Sequence, residues 1–170
     1  IYNNNGRICY YVNGSDQIKG PNISYGNWLH IAVSRTNGAT RLYVNGTAYG
    51  YYADTNDYGT SATFTINAWG DNNSIGIGTE YVTNIRVIKG TGLYNSPTIT
   101  VPSITNGLGN VQNTTFLMPV ASSGSALTDT VGGLTINNYN GYTFSSNALG
   151  NQISGSYSFN GTSSKFVIAA

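Results

Sequence analysis

The amino-acid sequence predicts an all-β protein, an antiparallel β-sandwich, and three observations carry that expectation. Apolar and polar residues alternate at period two in segment after segment, whereas helical periodicity is close to absent. Asn-Gly pairs stand at 5–6, 13–14, 37–38, 45–46, 106–107, 140–141 and 160–161. Each suits a turn that needs positive φ, and several sit between alternating runs, the strongest short-range hairpin signal. Finally, 22 Gly and 14 Tyr accompany only 8% charged residues, so Asn, Thr, Ser, Gly and Tyr supply the polarity. Short strands joined by tight turns fit that mixture better than a Glu-, Lys-, Ala- and Leu-rich enzyme would.

Taken in order, the segment Ile8–Val12 reads as a strand that buries the lone Cys9 as a packed thiol. In Trp28–Ser34, the residues Leu29, Ile31 and Val33 share one face, and Leu42 and Val44 repeat the pattern in Arg41–Val44. Ala62, Phe64, Ile66 and Ala68 alternate with Thr63, Thr65 and Asn67; Ile75 and Ile77 alternate with glycines, and Ile85 and Val87 with Asn84 and Arg86. One face in a core and one in water explains such a rhythm. Residues 103–113 form a Gly/Asn/Ser-containing linker-like stretch, after which Thr114–Met118 reads as a strand. Weaker candidates follow at 134–138 and 142–144, then clearer ones at 155–159 and 165–168. No internal repeat is visible, since the stretches before and after the linker do not match.

At 170 residues there is room for one ordinary domain and a sizeable core. A net charge of +1 offers no phosphate-seeking face, which argues against nucleic acid as a partner. With one cysteine no intrachain disulfide can form. No apolar run approaches the ~20 residues of a membrane helix, so membrane insertion is not expected. The chain starts without Met and stops in mid-pattern, and it reads as an excerpt or a processed piece of a longer polypeptide.

Gly26–Arg35, with Trp28, His30 and a small-apolar run, followed by Arg41-Leu42-Tyr43-Val44-Asn45-Gly46, resembles the central hairpin of laminin G-like, concanavalin A-like domains. Ile75–Gly78, Val82–Gly90, and Tyr94 before Pro97 and Pro102 resemble the closing strands, in the form found in phage virion and tail-fibre proteins. The resemblance runs over residues 7–102 and implies a jelly-roll sandwich. Leu127–Gly133 and Gly155–Ile168 resemble opening strands of the same domain type, yet they follow the closing ones. The expected organisation is therefore a closing portion at 1–102, a linker at 103–113, and opening strands of the same or the next unit at 114–170. Either the chain spans two units of a tandem array, or it is permuted and completed by a neighbour. Both leave open sheet edges that another chain or further residues must cover.

The resemblance also raises glycan cleavage, which needs two carboxylates about 5–5.5 Å apart for retention and farther for inversion. The acidic residues are Asp16, Asp54, Asp57, Asp71, Glu80 and Asp129, and the closely alternating acids of the family's catalytic strand are missing. His30, the only histidine, matches the family's structural position, and no zinc set of Cys and His can be assembled. The expectation is a protein that is not an enzyme.

No cofactor is implied, and calcium is the single metal to consider. Asp54 and Asp57, with Asp71 nearby in sequence, supply hard oxygen ligands, although Asp and Asn also make turns by bonding their own backbone. For glycan binding the candidates are Tyr51, Tyr52 and Tyr58, with Trp69 and Asn72, because aromatic faces beside planar polar groups suit sugars. Cross-strand packing accounts for the same tyrosines. The leading expectation is a structural virion protein (tail fibre, capsid decoration or fibre segment) that forms homo-oligomers or contacts fibre neighbours and touches host-surface glycans. The alternative is a carbohydrate-binding or adhesion module of a secreted bacterial protein. Either places the chain in a virion, outside the cell or at a cell surface. An endoglucanase-like hydrolase remains a third reading, held on fold alone.

Overall fold

The computed structural model describes residues 1–58, 64–68, 78–103, 107–119, 123, 127–146 and 155–169. Among them all regular structure is β, and every paired strand runs antiparallel to its neighbour. Two compact units result: residues 1–57 with 89–102, and residues 58–88 with 103–170.

In the first unit, β1 (Tyr2–Asn4), β2 (Arg7–Val12) and β3 (Ser15–Asn22) make one three-stranded sheet in sequential order. A second sheet holds β4 (Ile31–Thr36), β5 (Ala39–Val44) and β6 (Thr47–Ala53), also sequential. Asn-Gly pairs make all four hairpin turns within these sheets, with φ of 49° and 80° at Asn5 and Gly6, and 48° and 84° at Asn45 and Gly46. Two successive positive φ angles define the type I′ turn, whose twist matches that of the flanking strands. Asn tolerates this conformation, and Gly adopts it without steric cost. The sequence therefore writes these hairpins almost letter by letter.

Both sheets face one apolar cluster. Ile8 and Ile18 come from the first sheet, Leu42 and Val44 from the second, with Tyr10, Ile23, Leu29, Val33 and Tyr52 around them. Burying a side chain such as the fully covered Leu42 is worth about 1.5–3 kcal/mol. Cys9 is also buried, as the strand pattern predicts. Trp28, Leu29 and His30 precede β4 instead of opening it. Asn45 explains the boundary: its Oδ1 accepts from the His30 N–H at 2.9 Å, and its own N–H donates to the His30 carbonyl at 2.9 Å. The turn residue thus clasps the entry to the neighbouring strand.

The other face of the β4–β5–β6 sheet is covered by residues 89–102, which run as a strap without extended strand structure. Tyr94 packs its ring against Tyr43, centroids 5.8 Å apart, and its N–H donates to Ser34 Oγ at 3.0 Å. The Tyr43 hydroxyl donates to the Ser96 carbonyl at 2.9 Å, so Tyr43 is buried although it points away from the apolar cluster. Ala48 N–H donates to the Pro97 carbonyl and Ile99 N–H to the Gly46 carbonyl, which ties the strap to the start of β6.

The second unit contains β7 (Phe64–Ile66), β8 (Tyr81–Val82), β9 (Ile85–Ile88), β10 (Thr114–Met118), β11 (Thr135–Tyr139), β12 (Thr143–Ser145), β13 (Ser156–Ser158) and β14 (Lys165–Ala169). They form sheets ordered β10–β9, β11–β14–β7 and β12–β13–β8. Strands from both sides of residues 103–113 therefore pair: β9 with β10, β7 with β14, β8 with β13. Their shared core is Phe116, Met118, Tyr157, Phe159, Phe166 and Ile168. Aromatic edges meet faces throughout, as between Phe159 and Phe166 at 4.9 Å, a geometry worth about 0.5–1.5 kcal/mol beyond area burial.

Two Asn-Gly pairs depart from the hairpin pattern. Asn140 and Gly141 both take positive φ, yet they carry the chain from β11 to β12, which belong to different sheets. Asn160 does not take positive φ; its Oδ1 accepts from the N–H groups of Thr162, Ser163 and Ser164 and so builds the loop before β14. The segment Ile75–Ile77, and Ala62 and Thr63 of the 62–68 alternation, lie beyond the described residues. Among those residues no sheet closes on itself.

Candidate functional site

The carboxylates organise the polar chemistry of both units. Asp54 follows β6 and is completely buried. Its Oδ2 accepts from Thr40 Oγ1 at 2.7 Å and from the Tyr10 hydroxyl at 3.0 Å. Its Oδ1 accepts from the Asn56 N–H at 3.1 Å and Asn56 Nδ2 at 2.8 Å, with Arg35 Nη1 at 3.6 Å. The node links β2, β5 and the end of β6, and the groups around the carboxylate are donors. A cation here would have to displace them. Asp57, the other calcium candidate in this segment, is exposed. Asp71 lies outside the described residues, as do Trp69 and Asn72.

Of the tyrosines singled out for glycan contact, Tyr51 is 65% exposed on β6 beneath the Arg41 guanidinium, 5.7 Å from its ring centroid. Tyr52 points the other way, packs on the apolar cluster and accepts from Asn13 Nδ2 at 3.1 Å through its hydroxyl. Successive strand residues face opposite sides, so these two cannot form one platform. Tyr58 is half exposed and belongs to the second unit.

In that unit Asp129 does for a loop what Asp54 does for the two sheets of the first unit. Its Oδ1 accepts from the N–H groups of Leu117, Val131 and Gly132, and its Oδ2 from that of Leu134 at 3.0 Å. Burial acts to raise this carboxyl, but those four N–H donors hold it below the usual carboxylate range. Burial pushes the Glu80 carboxyl up. Glu80 adjoins β8, where the Asn67 side chain clasps Gly78 by donating to its carbonyl and accepting from its N–H. A shallow groove of about 250 Å³ is lined by Asn140–Thr143 and Ser158–Asn160.

One constellation escaped the sequence reading. On the outer face of the β1–β2–β3 sheet, Asp16 Oδ1 accepts from the Tyr2 hydroxyl at 2.8 Å, and Oδ2 accepts from Asn4 Nδ2 at 2.9 Å. The Tyr2 and Tyr11 rings meet edge to face at 6.0 Å. Cys9 lies opposite Tyr2 and Lys19 in register. Hydrogen bonds from Tyr2 and Asn4 hold the Asp16 carboxyl below its ordinary range, while the bond to Asp16 pushes the Tyr2 phenol up to about 12. Burial, reinforced by Asp16, raises the Cys9 thiol. The face therefore presents an ionised carboxylate, an amide, two tyrosines and an exposed lysine within one sheet. Such groups can accept and donate hydrogen bonds to a ligand without transferring atoms to it. Comparison with protein-family models, with curated proteins and with solved structures found no match.

Proposed function

We propose that this chain is a non-enzymatic structural or surface protein, a virion fibre or decoration component with a laminin G-like jelly roll, which assembles through its sheet edges. The observation that carries the reading is the set of small sheets that stay open among the described residues. Strand edges present unpaired N–H and C=O groups, and proteins that remain monomeric blunt them. Here β3 is blunted by Lys19 and Pro21, and β6 is met at its start by the strap at Pro97–Ile99. β4 ends its sheet with the run Ile31-Ala32-Val33-Ser34, free of proline and charge, and Ile31 is 39% exposed. A second copy pairing there would extend the sheet and cover Ile31.

The acids support a binding role over a reacting one. Asp54 and Asp129 hold strands and loops in place, and Asp16 is oriented by Tyr2 and Asn4. The second reading, a carbohydrate-binding or adhesion module, is favoured by the Asp16 face. In either case the chain works outside the cell, at a cell surface or in a virion, with copies of itself, fibre neighbours or surface glycans as partners.

Size-exclusion chromatography with light scattering across a concentration series tests assembly. The expected result is a multimer that Ile31→Lys dissociates, because an edge lysine opposes strand pairing. A monomer at every concentration would remove the fibre reading and leave the binding module.

A further inference from the structure

We propose that the outer face of the β1–β2–β3 sheet binds a neutral oligosaccharide, with Asp16 accepting sugar hydroxyls and the Tyr11 ring lying against the sugar's C–H face. This deepens the binding part of the reading above and involves residues separate from the β4 edge.

A strand irregularity carries the argument. In a regular β3, Asp16 would share a face with Ile18, two residues on, and Ile18 is buried in the apolar cluster. Instead Ile18 pairs with Tyr10 while Asp16 pairs with Tyr11, so Gln17 is an extra residue on β3. Such a bulge interrupts the ladder and re-aims a side chain, a device concentrated beside functional sites. Gln17 Nε2 stabilises it by donating to the Val12 carbonyl at 3.2 Å and to Ser15 Oγ at 2.7 Å. The result is a carboxylate turned outward from a strand that would otherwise bury it.

Once outward, the carboxylate is held by one donor on each oxygen, Tyr2 and Asn4. An ionised carboxylate offers about four acceptor positions, so capacity for a ligand hydroxyl remains. Asn4 uses its nitrogen toward Asp16, which leaves its carbonyl oxygen as a second acceptor. Lys19 is exposed on the same face and adds a donor. Tyr11 is 41% exposed and braced by Tyr2, so it offers a fixed aromatic face at low entropic cost.

Two acceptors, one cationic donor and a ring face match the alternating hydroxyl and C–H surfaces of a sugar. A phosphate backbone would be repelled by Asp16. A purely apolar partner would bury that charge without a counterpart.

Titration of ¹⁵N-labelled protein with neutral hexasaccharides tests the proposal, using α- and β-linked glucose, mannose, galactose and N-acetylglucosamine series. At least one should shift the amides of Tyr2, Asn4, Tyr11 and Asp16. Asp16→Asn and Tyr11→Ala should each weaken that binding about 10-fold or more, a loss of one decade or greater in Kd. Tyr51→Ala, on the other sheet, should leave it unchanged. Silence across the panel overturns the proposal, as does binding abolished by Tyr51→Ala or indifferent to both outer-face variants. If Asp16→Asn fails to fold, Tyr11→Ala decides alone. Assembly is read from mass without any sugar, so the two proposals fail separately.

Discussion

Replacing Asp54 by alanine should be among the most damaging single changes in the first unit. The carboxylate is wholly buried and serves Thr40, Tyr10, Asn56 and Arg35 together. Thr40 is itself 1% exposed, so its hydroxyl would be stranded, at about 1–3 kcal/mol. Loss of the charge-assisted bonds to Tyr10 and Asn56 adds about 1.5–3 kcal/mol. Arg35 is 40% exposed and can return to water, so its ion pair adds little. The total is about 2.5–6 kcal/mol. For a unit of this size each 1 kcal/mol lowers Tm by about 4–8 °C, so a fall of about 10 °C or more is expected. Asp54→Asn should cost less, about 1–2 kcal/mol. Its amide oxygen can face Asn56 and Arg35, while its NH₂ meets two hydroxyls able to rotate and accept. Thermal unfolding followed by circular dichroism, repeated in urea, measures both. Equal effects of Ala and Asn, or an Ala variant within a few degrees of wild type, would refute the idea that this node ties the sheets together.

The remaining predictions concern other joints of the fold. Asp129→Ala should destabilise the second unit by about 2–3 kcal/mol in urea titration, since four N–H donors lose their shared acceptor. Gly46→Val should loosen the strap: Gly46 sits at φ +84°, and an added Cβ would lie 2.7 Å from the Ile99 carbonyl oxygen. A cost of about 1–3 kcal/mol, with faster proteolysis within residues 89–102, is expected. Asp16 and Asp129 have depressed pKa values when folded, whereas in the unfolded chain they titrate near about 3.9. Their stabilisation is therefore present above that value and is lost as pH falls through the folded values. A double Asn variant should flatten the acid limb of a stability–pH profile. Calcium or a chelator should leave the Tm of the first unit unchanged, because Asp54 already faces protein donors.

Much of the architecture was legible because it rests on local chemistry. The Asn-Gly turns state φ directly, and the apolar run Phe116–Met118 after two threonines marks β10. β3 was not legible. Its single buried aliphatic, Ile18, sits among Gln17, Gly20 and Pro21, and two register shifts against β2 break the period-two rhythm. The same irregularity hid the Asp16 face, since only pairing reveals which way a bulged side chain points. The burial of Tyr43 was not legible for a different reason: its strand position faces away from the apolar cluster, but the strap buries it from the far side. Asp54 read as a calcium candidate beside Asp57, because a buried network leaves no spacing signature in sequence. The Asn140–Gly141 pair shows the limit of turn chemistry, which specifies a local bend and not the sheet that receives the next strand.

Hydrogen exchange at the β4 amides, measured at low and high protein concentration, tests the assembly claim most directly. Pairing with a second copy predicts that Ile31–Ser34 exchange slows as concentration rises, while β5, already internal to its sheet, stays unchanged. Exchange in β4 that is independent of concentration, across a range where scattering reports multimers, would contradict edge pairing.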